Sequence, residues 1–414
     1  MQPSDRTTTN HATRQEPRGE PVVVTHALRT PIGKFMGAFG GLSSADLGTS
    51  VVRSLVSAAG LEAGRVDHLV FGNGRQAGGG PNVARQVAVR AGLGESCTAL
   101  TVNMACASGL KSIDLAADAL RLGRARIVVA GGVESMSRLP FLLPRMREGH
   151  RLGHAAVVDA MYQDGFQCPL ADMLMGATAD LVARELGITR AEQDVFALAS
   201  QHKCEAARKA GRFTDEIAPV DVPGRKGESV AVAVDEHPRD DARLDSLAKL
   251  PPVFDAATGT VTAGNASGIT DGAAALLLMH ASTAESLGLE PLAVLGLATE
   301  AGVDPRRMGL GPVPALRQLR ERNGLAAGDY DLVELNEAFA AQVIACHRQE
   351  PLPLDRLNVN GGSIALGHPI GATGARIVVT LLHELRRRRG TNGLATLCVS
   401  GGMGMAMHFT RRGL

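Results

Sequence analysis

Two cysteines, a histidine and an asparagine occupy positions where their side chains could do covalent and proton chemistry. The stretch NMACASGLKSIDLAADAL (103–120) places Cys106 where a small-residue segment runs into a helix. Leu110, Ile113, Ala117 and Leu120 recur at helical spacing, so Ser108–Gly109 reads as the turn and Cys106 lies at or just before the first helical turn. Unpaired backbone N–H groups carry partial positive charge there. A thiol beside them ionises more readily and becomes a nucleophile. The position equally suits a buried cysteine acting as a small hydrophobe. Downstream, Asn336 in NEAFA is either a polar reactive-site group or the cap of the following helix. His368 in GHPIGATGAR is a proton carrier or a satisfied loop histidine. Cys398 in LCVSGGMG falls in a strand, where an inert buried thiol is the commoner case. GHPIGATG has the glycines of a phosphate loop, but no Gly-Lys-Ser/Thr follows.

The elements that must position these side chains alternate strand and helix. PVVVTHALRTPIG reads as a buried strand and loop, SADLGTSVVRSLVSAAG as a helix, VDHLVFGNG as a strand and turn, and PNVARQVAVRAG as a helix. CTALTVNMAC is a strand running into Cys106, and ARIVVAGGVESMS is another strand with a glycine end. This order predicts an α/β fold with a mostly parallel sheet. The C-terminal part repeats the grammar. YDLVELNEAFAAQVIACH answers the VDHLVFGNG strand and its helix, and LNVNGGSIALGHPIGATGARIVVTLLHEL answers LTVNMACASGLKSIDLAADAL. LATLCVSGGMGMAMHF answers ARIVVAGGVESMS. Two copies make a pair of facing halves rather than a stacked array, with strand-end loops converging on one site. Between them, about Met136 to Gly268, lies a less regular insert expected to cap the site and supply substrate contacts.

Composition narrows the function. With a net charge of +1, no Trp and two Tyr in 414 residues, neither an electrostatic footprint for nucleic acid or a membrane surface nor a set of base-stacking platforms is present. The 49 glycines are well above the usual ~7% and cluster in runs, which suggests backbone brought close to a ligand or to other backbone. Cys97, Cys106, Cys168, Cys204, Cys346 and Cys398 show no C-x-x-C pair. Reduced thiols in a cytoplasmic protein fit better than a disulfide framework or a zinc site. The N-terminal MQPSDRTTTNHATRQEPRGE has no apolar core and reads as a disordered tail rather than a secretory signal, with a transit peptide the weaker alternative, and no apolar run reaches membrane-spanning length.

Taken together, NMACASG, TAGNASGITDGAAALLL, NEAFA, GGSIALGHPIGATGAR and LCVSGGMGMAM, from about Pro21 to the C-terminus, resemble the thiolase family in order, spacing and half-repeat. The resemblance implies two similar βαβαβαββ-type halves packed as five αβαβα layers, with an inserted loop domain. The expected boundaries are a tail over 1–20, an N-terminal half over 21–135 completed by about 269–289, a CoA-binding insert over 136–268 and a C-terminal half over 290–414. It implies an acyltransferase that interconverts two acetyl-CoA with acetoacetyl-CoA and CoA, with CoA and acyl-CoA as substrates, no cofactor and no metal. The assembly it implies is a homodimer or homotetramer. Phe141, Leu142 and Leu143 fall where tetrameric members carry an assembly loop, and they would be costly to expose.

Residue by residue, the resemblance makes Cys106 the acyl-carrying nucleophile, His368 the acceptor of its proton and Cys398 the thiol that moves the α-carbon proton. His368 and a water held by Asn336 would face the enolate oxygen, and the backbone N–H groups of Cys106 and Ser400 the tetrahedral oxyanion. Ser400 departs from the family's usual glycine, and its N–H serves if its φ is negative. For CoA, Ser267 would bind the pantetheine arm and Ala263, Leu250 and Phe254 would line its path. Met175, Ala338 and Phe339 would lie near the thioester, and Arg239 and Ser246 near the nucleotide. Leu174 replaces a histidine common in short-chain members, which makes that wall of the acyl site drier. A degradative thiolase for longer chains is the close alternative. A non-catalytic CoA-binding subunit would be expected to lose a catalytic residue, a decarboxylating ketosynthase uses two histidines with its cysteine, and a cysteine hydrolase needs no second thiol.

Overall fold

The computed structural model describes residues 19–224 and 227–413. The expected tail therefore lies outside the described residues except for Gly19 and Glu20, as do Arg225 and Lys226 of the insert. The first half comprises β1 (Val22–Arg29), α1 (Ser44–Ala58), β2 (His68–Gly72), α2 (Val83–Arg90), β3 (Thr98–Val102), α3 (Ser108–Arg121) and β4 (Ile127–Glu134). The insert carries two long helices, α4 (Met175–Glu185) and α5 (Arg190–Lys209), and returns through β5 (Thr270–His280). The second half follows as β6 (Ala293–Gly302), α6 (Pro312–Asn323), β7 (Leu332–Leu335), α7 (Ala340–Gln349), α8 (Ile370–Arg388), β8 (Asn392–Val399) and β9 (Met403–Thr410).

Local chemistry sets these elements. Ser43 and Asp46 close a capping box on α1, and Thr189 and Glu192 do the same on α5. In α1, Leu47, Val51, Leu55 and Val56 make one buried stripe against β5, while the opposite face is polar. By contrast, α8 is buried on every side from Ile370 to Leu382. Such a helix belongs between two layers, and α8 indeed packs on β4 and β5 on one side and on β7 and β8 on the other, with α3 beside it. Layers of α1 and α2, a first sheet, α3 with α8, a second sheet, and α6 with α7 then make the five αβαβα layers expected.

Strand order runs β7-β8-β9-β6-β1-β5-β4-β2-β3. The two sheets meet edge to edge through only two residue pairs, Val23 with Val294 and Val24 with Ala293. The expectation of a mostly parallel sheet is corrected here. Among the described strands of this sheet only β2–β3, β2–β4 and β7–β8 are parallel; β1–β5, β1–β6, β5–β4, β6–β9 and β8–β9 are antiparallel. The connection from β8 to β9 is too short for a crossover and can only make a hairpin, while β5 re-enters the first sheet after the long insert. The repeat is also imperfect. Leu357–Asn360, the counterpart of β3, makes a single bridge to Val333. Asn358 turns the chain out of line at φ 45, with its side chain donating to Leu335 O and accepting from Leu335 N, both at 2.9 Å.

Candidate active site

The turn that presents Cys106 is built by two flanking side chains. Asn103 Oδ1 accepts from the Ala105 N–H at 2.9 Å. Ser108 Oγ accepts from the Met104 N–H at 2.9 Å and donates to Ala105 O at 2.7 Å. Held this way, Ala105 sits at φ 44, a left-handed conformation unfavourable for a residue with a Cβ. Cys106 lies on the 3₁₀ turn Ala105–Ala107, and α3 starts at Ser108. The expected turn at Ser108–Gly109 is therefore displaced upstream, because the Ser108 hydroxyl closes it from the helix side. Gly109 has a different use. A Cβ there would stand 2.6 Å from Ala375 N, and one on Gly374 would stand 2.3 Å from Leu110 N. The first turns of α3 and α8 thus touch backbone to backbone, which draws His368, two residues before α8, into the same cavity as Cys106.

Hydrogen bonds fix the protonation of His368. Thr373 Oγ1 gives its one proton to Pro369 O at 2.9 Å, so at 2.6 Å from His368 Nδ1 it can only accept. The imidazole proton is therefore on Nδ1 and the lone pair on Nε2. A second chain reaches Nε2 from behind. Arg376 Nη2 donates to Ser363 Oγ at 3.0 Å, which donates to Asn336 Oδ1 at 2.6 Å. That orients the Asn336 amide with Nδ2 toward His368 Nε2, 3.5 Å away. Burial, with Arg376 and Arg75 nearby, lowers the His368 pKa to about 3, so the ring is neutral at physiological pH.

The thiols are also neutral at rest. Burial pushes Cys106 up, outweighing Arg75 and the backbone N–H groups of Ser400 and Cys106 that favour its thiolate. The easier ionisation expected from the helix start is thus overridden by desolvation. Cys398, at the end of β8 among Met308, Ala338, Met175 and Phe339, is raised well above its usual value by burial and by Cys106 and Cys346. Ser400 Oγ stands 3.9 Å from Cys106 Sγ. Its φ is not positive, in contrast to 89 and 87 at Gly401 and Gly402, so its N–H is presented without strain.

Cys106, His368, Cys398 and Ser400 line one cavity of about 680 Å³. Leu174, Met175, Phe254, Ala263, Ser267 and Arg239 line it too, as do Ala338 and Phe339. Backbone bonds from Ser267 N to Ala338 O (3.0 Å) and Ala340 N to Asn265 O (2.8 Å) lock the end of the insert to the segment after β7. Three expected residues do not line the cavity. Asn336 is fully buried behind His368, Leu250 packs beneath Gly264, and Ser246 is exposed on the short helix Leu244–Ala248. Residues not anticipated from sequence include Thr373, whose role depends on helix geometry, and Arg75, whose only sequence signal is its place in the loop at the carboxyl end of β2. Glu134, also unanticipated, ends β4 and accepts from Asn73 Nδ2 and from the N–H groups of Gly74, Arg75 and Gly371. Burial raises its pKa to about 7. Among the described residues no cluster of His, Cys, Asp and Glu suited to a metal ion is found, and no helix is long and apolar enough to cross a membrane.

The thiolase N-terminal domain model matches residues 22–282 and the thiolase C-terminal domain model residues 289–411. An acetyl-CoA acetyltransferase of Cupriavidus necator is 50% identical over 391 residues, covering 94% of this chain and 99% of that protein. One from Escherichia coli K12 is 48% identical over 390 residues, covering 94% and 98%. The crystal structure of the Bacillus anthracis acetyl-CoA acetyltransferase superposes with a TM-score of 0.92 at 42% identity, covering 94% of this chain and 98% of that one. Human mitochondrial 3-ketoacyl-CoA thiolase in complex with CoA gives 0.90 at 38% identity, with coverage of 94% and 98%.

Proposed function

The chain belongs to the thiolase family and is an enzyme of that type, and from that premise we propose that it is an acetyl-CoA acetyltransferase, joining two acetyl-CoA into acetoacetyl-CoA and CoA and running the reverse. The observation that carries this reading is the convergence of Cys106, on the turn after β3, His368, just before α8, and Cys398, near the end of β8, on one cavity. In the proposed first step Cys106 Sγ attacks the thioester carbonyl, its proton passes to His368 Nε2, and CoA departs as a thiolate that takes the Cys398 proton, leaving the Cys398 thiolate to act as base in the second step and the His368 proton to return to Cys106 at the end. The N–H groups of Cys106 and Ser400 hold the oxyanion. In the second step Cys398 takes the α-proton of another acetyl-CoA, and the carbanion attacks the acetyl-Cys106 carbonyl. Acetoacetyl-CoA departs, and the Cys106 thiolate regains its proton. An uncharged resting pair suits this sequence, because the thiol ionises only as bond formation proceeds. CoA and acyl-CoA are substrates, and the steps draw on side chains and backbone alone.

Ser267 and Met175 would contact the pantetheine arm and thioester, with Arg239 toward the nucleotide. Leu250 and Ser246, which lie outside the cavity wall, would act at most indirectly. Six free, buried cysteines support a compartment that keeps thiols reduced, so we place the protein in the cytoplasm. Phe141 is 67% and Leu152 99% exposed beside Leu143 and Met146, which supports burial of this segment in a homodimer or homotetramer. The test is direct. Incubation with acetyl-CoA should acetylate the peptide holding Cys106 and release CoA, both read by mass spectrometry. Acetylation only at Cys97, or turnover with Cys106 unmodified throughout, would overturn the assignment.

A further inference from the structure

Arg75 lines the acyl cavity and is 6% exposed, whereas the other Lys and Arg side chains on its wall, Lys34 and Arg239, are solvent-exposed. Its guanidinium has almost no partners. Among the described residues Nη1 reaches only the Gly74 carbonyl at 3.3 Å, and Nε finds no acceptor. Among the described residues no carboxylate lies within ion-pair distance of it. Glu134, the carboxylate whose pKa its charge lowers, spends both oxygens on Asn73 Nδ2 and three backbone N–H groups and is itself raised toward neutrality. Space for the guanidinium exists because residue 165 is a glycine. A Cβ there would stand 2.4 Å from Arg75 Nε and 3.0 Å from Nη2. The guanidinium thus packs close against the Gly165 backbone, and its charge reaches Cys106. A buried cation without an anion is costly to keep, and planar guanidinium donors match a carboxylate in geometry.

We propose that Arg75 is a specificity residue that binds the terminal carboxylate of a dicarboxylic acyl chain, so that 3-oxoacyl-CoA esters ending in a carboxylate are substrates of this site. The proposal rests on the thiolase reading and names a substrate class within it. The methylenes of such a chain would run along Phe166, Leu174 and Ile370, which line the same cavity. For 3-oxoadipyl-CoA, Cys106 adds to the 3-oxo carbon and the C2–C3 bond breaks. The electron pair stays on C2, which takes a proton from Cys398 and leaves as acetyl-CoA. A succinyl group remains on Cys106. The thiol of incoming CoA then attacks that thioester, giving succinyl-CoA and the free Cys106 thiol, with no oxidant or reductant needed.

The experiment compares kcat/KM for thiolysis of 3-oxoadipyl-CoA and of its methyl-ended counterpart 3-oxohexanoyl-CoA, in the wild-type protein and in Arg75→Gln and Arg75→Lys. In the wild type the carboxylated substrate should be preferred. In Arg75→Gln that preference should fall by roughly 10- to 100-fold, as for loss of a charge-assisted hydrogen bond, and Arg75→Lys should retain part of it. Succinyl-CoA should also label wild-type Cys106 faster than butyryl-CoA does, a comparison that needs no variant to fold. A wild-type preference for 3-oxohexanoyl-CoA, or an equal loss on both substrates in folded Arg75→Gln, would overturn the proposal. Failure of the folded wild type to cleave acetoacetyl-CoA as well would instead overturn the thiolase reading itself.

Discussion

Replacing Thr373 with Val would remove one hydroxyl and leave the shape of α8 nearly unchanged. In the wild type that hydroxyl accepts the His368 Nδ1–H at 2.6 Å. Without it the imidazole has two options, both poor. Keeping the proton on Nδ1 leaves a buried N–H without an acceptor, which costs ~1–3 kcal/mol. Moving it to Nε2 turns an N–H toward the Asn336 amide, whose own Nδ2 donor stands 3.5 Å away, and removes the lone pair that is to receive the Cys106 proton. A loss of ~1–3 kcal/mol in the productive tautomer corresponds to a fall of about 5- to 150-fold in rate. Quenched single-turnover acetylation of Cys106 by acetyl-CoA, read by mass spectrometry, measures it. The acetylation rate and kcat should fall together, with KM within about twofold of wild type, and Thr373→Ser should restore most of the rate. A folded Thr373→Val protein that acetylates Cys106 at the wild-type rate would refute the tautomer reasoning.

Cys398→Ala should still accept acetyl on Cys106 but lose condensation and thiolysis by on the order of 10²–10⁴, the usual scale for a removed acid–base group; normal turnover would remove Cys398 from the mechanism. Gly374→Ala should lower stability by ~1–3 kcal/mol and reduce kcat, because its Cβ would stand 2.3 Å from Leu110 N and the α3–α8 contact must open; an unchanged Tm and kcat would show that the contact tolerates a methyl group. Stability should fall as pH drops from 6.5 to 4, since burial lowers His368 to about 3 and His408 to about 4 while the unfolded chain takes up protons near 6.5. The contribution of each ring is complete above pH 6.5 and is lost toward its folded pKa. His408→Gln should therefore reduce the slope of unfolding free energy against pH in that window by up to about 1.4 kcal/mol per unit, and an equal slope in denaturant titrations would contradict it.

The sequence made the order of elements legible wherever one face repeats, as along α1 and α3, and the motifs around Cys106, His368 and Cys398 were visible as text. What was hidden depends on neighbours distant in the chain. The start of α3 is moved by a hydroxyl acting backward on Ala105, so apolar spacing from Leu110 onward cannot locate it. The ionisation of Cys106 turns on burial, which outweighs the helix start. Arg75 reads as a loop arginine until Gly165, far along the chain, is seen to leave room for its guanidinium. Strand direction in the sheets follows from the hairpin after β8 and the return of β5, neither of which shows in hydrophobic pattern.

The contact of α3 with α8 also sets a clock. Gly132 of β4 lies against Gly371, where a Cβ would be 2.0 Å from its carbonyl oxygen, so a helix from late in the chain fills a groove made early. During synthesis at ~5–20 residues per second, the Cys106 loop leaves the ribosome on the order of 10–50 s before His368 and α8 follow. Throughout that interval the thiol lacks both its proton acceptor and the cover that later raises its pKa. A nascent chain is therefore most open to oxidation or misplaced acylation at Cys106 before it can turn over any substrate, and a chain stopped short of α8 is an exposed groove rather than half an enzyme.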